Sequence, residues 1–388
     1  MVSIELPIWA EDCGVKGKIL VPRECAASNL GPNSWKEVDW WLAVFLLLEG
    51  WHERLWEKTK GVIHSYSFRL ADWDSRAWDH AWVNRIAIFL RKWVKRENEW
   101  DDAFLGPIPS AKLTVTHDVD AVEKTIPIRF KQGTFNLFNV IKLSSRGKIV
   151  EAANSCRNAL RMIFGQGDWN EFDELLQMEA NAEVSAVFHF YADDRRKTIK
   201  RWLFDPGYDV SSDELKALML KLRDDGHEVG LHPAFDSWRD SDLIANQRKL
   251  LEASTGSTIS SCRQHWLRFS WEDTWTAQSK GGIKKDSTLM FNDRPGFRNS
   301  SCLSWRPWNP RKSEPHELTA VNSVLMDSHL YDYHSLTEDE RKAEIACWVN
   351  ESKEVLGECS FLWHPHTLSE EYGWRGGLEY LLNEMNKS

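Results

Sequence analysis

Apolar and polar positions change rhythm once along this chain. Over the first hundred residues the spacing is helical. Ser34 and Glu37 stand as a capping box, after which Trp41, Val44, Phe45, Leu48, Trp51 and Leu55 recur at helical spacing, which predicts a helix with those side chains inward. A second helix is predicted after Asp74, where Trp78, Trp82, Ile86, Phe89 and Trp93 lie over one another. Such spacing is what a core needs, so this stripe reads as packing before it reads as a sugar-stacking surface.

The rhythm breaks over residues 101–110, where Gly106, Pro107 and Pro109 stop any helix. A mostly helical, Trp-rich N-terminal domain, residues 1–105, is predicted to end there. From 111 to 388 short apolar runs alternate with capped helices, the sign of a parallel sheet or barrel. Seven strands are expected, near 113–116, 184–190, 228–231, 258–262, 287–291, 324–326 and 360–363. One intervening helix opens at the box Ser211 to Glu214, turns Leu215, Leu218, Met219 and Leu222 inward and stops at Gly226; another opens at Thr337 to Glu340.

The interval between the first two strands is too long for a simple crossover, and a basic helical insertion is predicted at about 124–165. Between 124 and 164 stand eight Lys or Arg and one acid, Glu151, a local sum of +7. Phe130, Phe135, Leu137, Phe138 and Ile141 fall in the same stretch. It reads either as a solvated helix pair packed on the barrel or as a basic, partly apolar surface for an anionic sugar or the membrane face that carries one.

Charge and cysteine usage narrow the function classes. The 388 residues carry 49 Lys plus Arg against 58 Asp plus Glu, a net of -9, which argues against nucleic acid as the main partner. Seven Cys without a C-x-x-C pair suggest neither a disulfide framework nor a thiolate zinc site, and reduced cytoplasmic thiols are the simple reading. The first residues lack the pattern of a signal peptide, and the longest apolar run, residues 40–48, is far short of the roughly 20 needed to span a bilayer. A soluble cytoplasmic protein is expected, with peripheral contact at the inner membrane face as its furthest reach.

Candidate chemistry gathers where strands end, and in a parallel barrel those ends face the ligand. Thr116, His117, Asp118, Val119 and Asp120 close the first strand, and one of the two carboxylates can serve a metal and the other a proton. The segment from His227 through His232 to Asp236 follows a second strand with imidazole and carboxylate, which suit zinc and similar ions. His227 itself is read as structural, because its spacing from His232 places it on the opposite strand face. Arg263 to Phe269 and Phe361 to His366 end two more strands. Arg294 and Arg298, near a Pro-Gly turn, read either as bidentate holders of a carboxylate or phosphate or as salt-bridge partners.

Taken in order, these segments resemble the polysaccharide deacetylases with a NodB-homology domain, carbohydrate esterase family 4. The chain looks most like the deacetylase-like branch of bacterial O-antigen and surface-polysaccharide clusters, over about residues 111–385. The Trp-rich leader is similar to that branch only. The resemblance implies a deformed (β/α)7-type barrel, one divalent metal ion, zinc before others, and hydrolysis of an N-acetyl group from an amino sugar or polysaccharide. It maps the base to Asp118, the metal carboxylate to Asp120, the first metal histidine to His232, the arginine that holds the base to Arg263 and the acid to His364. Trp266 matches the residue whose backbone N–H faces the oxyanion, and His366 is the alternative acid. Arg268, Arg294 and Arg298 join Trp266 and His366 as expected substrate contacts.

The family pattern is broken at three places. Asp236 stands where a second metal histidine is usual, so the expected ligand set is Asp120, His232 and Asp236, a set that weakens preference for zinc over harder ions. His265 replaces a proline, and Trp266 replaces a Tyr or Phe. Two rival readings follow, a carbohydrate-binding relic without turnover and a hydrolase of a non-sugar amide.

Overall fold

The structure, a computed structural model, describes residues 1–98, 100–145, 147, 149–165 and 169–387. Two short strands, β1 (Val2–Glu5) and β2 (Lys18–Val21), pair antiparallel at the N-terminus. The main sheet uses β3 (Lys112–Val119), β4 (Val187–Phe190), β5 (Glu228–Leu231), β6 (Ser261–Cys262), β7 (Lys285–Asp286) and β8 (Ser304–Trp305). After a hairpin of β9 (Trp308–Asn309) and β10 (Glu314–Pro315), it adds β11 (Thr319–Val321), β12 (Ser323–Met326) and β13 (Glu358–Leu362).

The ladder runs β12-β13-β3-β4-β5-β6-β7-β11-β8, parallel throughout except for the last pair. β11 and β12 are consecutive parts of one segment. The first pairs Thr319 with Lys285, and the second pairs Ser323 with Ser360 and Met326 with Leu362. Both ends of the parallel part of the ladder therefore lie in a single stretch of chain, and the sheet curls round on itself. Six of its parallel staves overlap expected strands, two of them shorter, 187–190 for 184–190 and 261–262 for 258–262; 285–286 lies just before the expected 287–291, and 319–321 was not expected.

Outside the sheet, Asp213–Asp224 packs Leu215, Met219 and Leu222 into the core, with Ser212 rather than Ser211 as its cap. Glu338–Glu354 opens on the expected box, in which Thr337 and Glu340 bond each other's backbone N–H. Phe188, Phe190, Leu231 and Phe361 line the same core from the strands, each burial stabilising by about 1.5–3 kcal/mol.

The first helical expectation is corrected. Ser34 does not cap a helix; Asp39 caps Trp40–Leu48 by accepting from the backbone N–H of Leu42. Trp40, Ala43 and Leu47 are buried, whereas Trp41 is 78% exposed. The helix is apolar on every side, so the pattern could not choose a face, and it ends at Gly50, whose φ of 54° restarts the chain as Trp51–Lys60. A Cβ on Gly50 would come within 2.1 Å of the Trp271 ring, so glycine is required both for the turn and for the close approach. The second stripe does face inward: Trp78, Trp82, Ile86 and Phe89 are buried. Phe89 sits in a ring cluster with Trp9, Trp35, Trp40 and Trp93.

The insertion is a pair of packed helices, Ile126–Ser144 and Ile149–Phe164. A buried ion pair of Lys124 with Glu371, which also accepts from Trp169 Nε1 at 2.9 Å, ties it to the barrel. Leu137, Phe138, Ile141, Ile149 and Phe164 are exposed on it; the side chains of Phe130 and Phe135 lie outside the described ones. Among the described residues no helix is long and apolar enough to cross a membrane.

Candidate active site

Arg263 is the hub on which the strand ends converge. It projects from the end of β6 into the interior, fully buried. Nε donates to the Ser287 carbonyl at 3.1 Å, Nη1 to Thr116 Oγ1 at 2.7 Å and Asp118 Oδ1 at 3.3 Å, and Nη2 to Ser323 Oγ at 2.8 Å and Ser360 Oγ at 3.2 Å. A barrel interior is ordinarily filled with branched apolar side chains. Here hydroxyls line it, because a buried guanidinium without partners would cost several kcal/mol.

Asp118 and Asp120 end β3 beside this hub. Asp118 is buried, with Oδ1 3.4 Å from His189 Nδ1 on the paired position of β4 and Oδ2 3.8 Å from His232 Nε2. Burial alone would raise its pKa, yet His232, Arg263 and His189 together hold it well below the usual carboxylate range. Asp120 is also lowered: its desolvation is outweighed by His232, His265 and His364.

His232 Nε2 and His265 Nε2 both stand 3.4 Å from Asp120 Oδ1. The donor atoms of these three residues all lie within 4.8 Å of one another. Metal–donor bonds of about 2.1 Å meeting at a tetrahedral angle separate their donors by roughly 3.4 Å, so the spacing fits a small divalent ion. The tautomer fits as well. His232 Nδ1 lies 2.7 Å from the Arg263 carbonyl, which can only accept, so Nδ1 carries the hydrogen and the Nε2 lone pair faces Asp120. His265 Nδ1 is 3.5 Å from the buried Asp205, a carboxylate backing of the kind metal-bound imidazoles use. Asp120 Oδ1 is buried without a hydrogen-bond partner among the described residues. Asp118 and Asp120 raise the pKa of His232 against its burial, so the spot favours positive charge.

The expected ligand Asp236 is corrected. It is 41% exposed, and its Oδ1 is 3.0 Å from Arg195 Nη2, which Asp193 also binds. His265 stands in the cluster in its place. The chain passes from β6 into a tight turn with Trp266 at φ 58° and Leu267 at φ 48°, and that turn sets His265 against Asp120. No spacing rule reveals such a left-handed pair of bulky residues.

On the other side of Asp120, His364 Nε2 is 3.7 Å from Oδ2. Its Nδ1 is 2.8 Å from Asp327 Oδ1, and its backbone N–H donates to Oδ2 of the same carboxylate at 2.8 Å. Burial would lower the imidazole, but Asp327 dominates and pushes it up to about 10. His366 behaves oppositely. Stacked on Trp169 and near His364, it is lowered to about 4 by burial first. Asp327 was missed in the sequence, although it directly follows β12 and so obeys the strand-end rule; His189 was hidden within an apolar strand.

The remaining expected contacts divide. Trp266 is exposed beside His265, with Nε1 donating to the Phe204 carbonyl. Arg268 reaches His64 of the N-terminal region. Arg294 pairs with Asp79 at 2.8 Å and lies over Trp78, and Arg298 is fully buried on Glu53. Both arginines tie the two regions together through Asp79 and Glu53, which is the salt-bridge alternative of the two readings the sequence left open. His117, between the Trp363 carbonyl and Glu179, and His227, which accepts from the Ala186 N–H, are structural.

No family model matches the chain, and no curated protein matches it. Among solved structures, similarity extends to a candidate polysaccharide deacetylase from Mycobacterium smegmatis at 16% identity and a TM-score of 0.42, over 72% of this chain and 86% of that one. It extends also to a polysaccharide deacetylase from Bacillus cereus (12%, TM-score 0.33, 71% and 87%) and a CE4-family pseudoenzyme from Bacillus anthracis (11%, TM-score 0.32, 75% and 74%). Identities and TM-scores this low transfer neither an activity nor a substrate to this chain.

Proposed function

We propose that the barrel mouth is the active site of a metal-dependent hydrolase that removes an N-acetyl or related N-acyl group from an amino sugar of a bacterial surface polysaccharide, O-antigen or precursor. One observation carries this reading: Asp120, His232 and His265 converge on a point flanked by Asp118 on one side and the Asp327–His364 pair on the other. Two imidazoles and one carboxylate would hold a divalent ion, zinc first. Such an ion polarises an amide carbonyl and makes water more acidic.

The chain's own groups divide the proton work. Asp118, kept ionised by Arg263, His189 and His232, accepts a proton from the attacking water. His364, kept protonated by Asp327, delivers one to the departing amine, which is otherwise a poor leaving group. Of the two adjacent histidines only His364 is held charged, which favours it over His366 as the acid. The backbone N–H of Trp266, in its turn beside His265, is the assigned oxyanion donor. A sugar-binding relic would have no use for a buried carboxylate that holds a histidine charged at the mouth.

The protein is further proposed to work in the cytoplasm, with the helices Ile126–Ser144 and Ile149–Phe164 meeting an anionic membrane face or glycan. The local +7 of residues 124–164 and the exposed apolar side chains on the helices support that contact. Amine release from a panel of N-acetylated sugars, with and without chelator, tests the activity. Release that chelation abolishes is expected; no release from any sugar, or full release in chelator, overturns the reading.

A further inference from the structure

The N-terminal region forms one wall of the barrel mouth. The Ser65 carbonyl accepts from the Asn292 N–H at 2.7 Å, and Ser65 Oγ donates to the Trp266 carbonyl at 3.3 Å. Ser67 and Phe68 are held by the Asp293 carboxylate. This seam brings His64, Tyr66 and Arg69 beside Trp238, Arg239 and Arg268, and Arg268 stands only three residues beyond His265.

Arg268, which is half-buried, differs from the buried arginines. Arg54, Arg85, Arg201, Arg263 and Arg298 each face a carboxylate. The Arg268 guanidinium lies over Phe235 at 4.1 Å and Trp238 at 5.5 Å, and its Nη2 donates to His64 Nε2 at 3.0 Å. Among the described residues it has no ion-pair partner. Its Nε is buried without a hydrogen bond among the described residues, an expensive arrangement for a charged group unless a ligand supplies an acceptor nearby. Arg239 covers the same Trp238 ring at 5.0 Å, and Arg69 covers Tyr66 at 5.3 Å. Neither has a carboxylate within ion-pair distance among the described residues, and Asp236, the nearby acid, is held by Arg195. Burial first, then the charges of Arg239 and Arg69, lower the Arg268 pKa against the opposing pull of Asp236, so three arginines gather here in a chain of net -9.

The backbone of the seam is strained as well. His64, Trp266 and Leu267 are non-glycine residues at φ 55°, 58° and 48°. Strain of this kind, of order 1–3 kcal/mol each, collects at ligand clamps.

We infer that Arg268, Arg239 and Arg69, with the rings of Trp238 and Tyr66, form an anion-binding subsite that takes a phosphate or carboxylate carried by the sugar. Guanidinium forks match either anion bidentately, and aromatic faces suit a pyranose ring beside it. The substrate half of this inference rests on the deacetylase reading; the anion site itself does not.

Calorimetric titration of the full chain with inorganic phosphate, and separately with glucuronate, tests it. Chelator-treated protein is used, so that any bound metal cannot supply the signal. Saturable binding of at least one probe is expected, and the tighter of the two identifies the source of the anion. R239E changes an exposed residue and leaves the packing under Phe235 alone; it should weaken binding by about tenfold or more, as should R268Q. In turnover, the preference for an anionic over a neutral N-acetylated sugar should fall by a similar factor. No saturable binding of either probe, or equal binding by both variants and wild type, overturns the subsite. If anion binding depends on the arginines but no sugar is turned over, the deacetylase reading falls and the subsite stands.

Discussion

Arg263 and Arg298 are both wholly buried, and each faces an acid, one at the barrel mouth and the other where the N-terminal region packs on the barrel. Arg298 grips Glu53 through two bonds, Nε to Oε1 at 3.0 Å and Nη2 to Oε2 at 2.7 Å; Trp271 Nε1 adds a third donor to the same carboxylate. Nothing is left over to meet a substrate. Arg263 spreads its five donors over three hydroxyls, one carbonyl and a single 3.3 Å contact with Asp118. The acid is thereby kept ionised without being saturated, and its other oxygen faces His232. A saturated buried pair is a structural tie; a shared, longer one leaves a carboxylate able to take a proton.

Removing the carboxylate at the mouth should have the larger effect on chemistry. Asp118→Asn is expected to lower turnover by roughly a hundred- to ten-thousandfold while metal content and melting temperature stay near wild type; near-normal turnover would remove Asp118 from the base role. At the tie the balance reverses. Glu53→Gln leaves Arg298 charged and buried, and should cost about 3–5 kcal/mol of stability in denaturant titration. A loss under about 1 kcal/mol would show that the pair does not hold the two regions together.

A finer contrast concerns pH. His364 is raised above its ordinary value by Asp327, so the stability it contributes is fully present below about 6.5 and is lost as pH rises through about 10. Its capacity as an acid follows the same window. Asp327→Asn should therefore move the alkaline limb of the turnover profile toward neutrality, and an unmoved limb would exclude His364 as the group reported. The smallest effect is expected at the basic helices, where reversing Lys142, Arg146 and Lys148 to Glu should weaken binding to anionic vesicles and its salt dependence. Arg146, Lys148 and the side chain of Lys142 lie outside the described residues. Unchanged binding would return the helices to a packed insertion.

The sequence made the strand ends legible because parallel staves have a short apolar period and release polar residues on one side. Asp118, Asp120, His232, Arg263 and His364 came together from that rule and the family resemblance. Asp236 did not, since the turn after β5 leads it out to Arg195 and solvent. His265 came in through backbone conformations that bulky side chains rarely adopt, which no pattern announces. Arg294 and Arg298 were ambiguous for a different reason: their partners, Asp79 and Glu53, are more than two hundred residues distant in the chain. The apolar helix Trp40–Leu48 was readable as a helix but not as a face.

The choice between His265 and Asp236 at the metal is best decided by metal content and turnover of His265→Ala beside Asp236→Ala, each measured against the wild type. One divalent ion per chain is expected in the wild type and in Asp236→Ala, with activity retained in both; His265→Ala should lose the ion and the activity together, since two remaining ligands hold a divalent ion poorly against water. A fully metallated, fully active His265→Ala protein, or an Asp236→Ala protein stripped of its metal, would contradict the site described above.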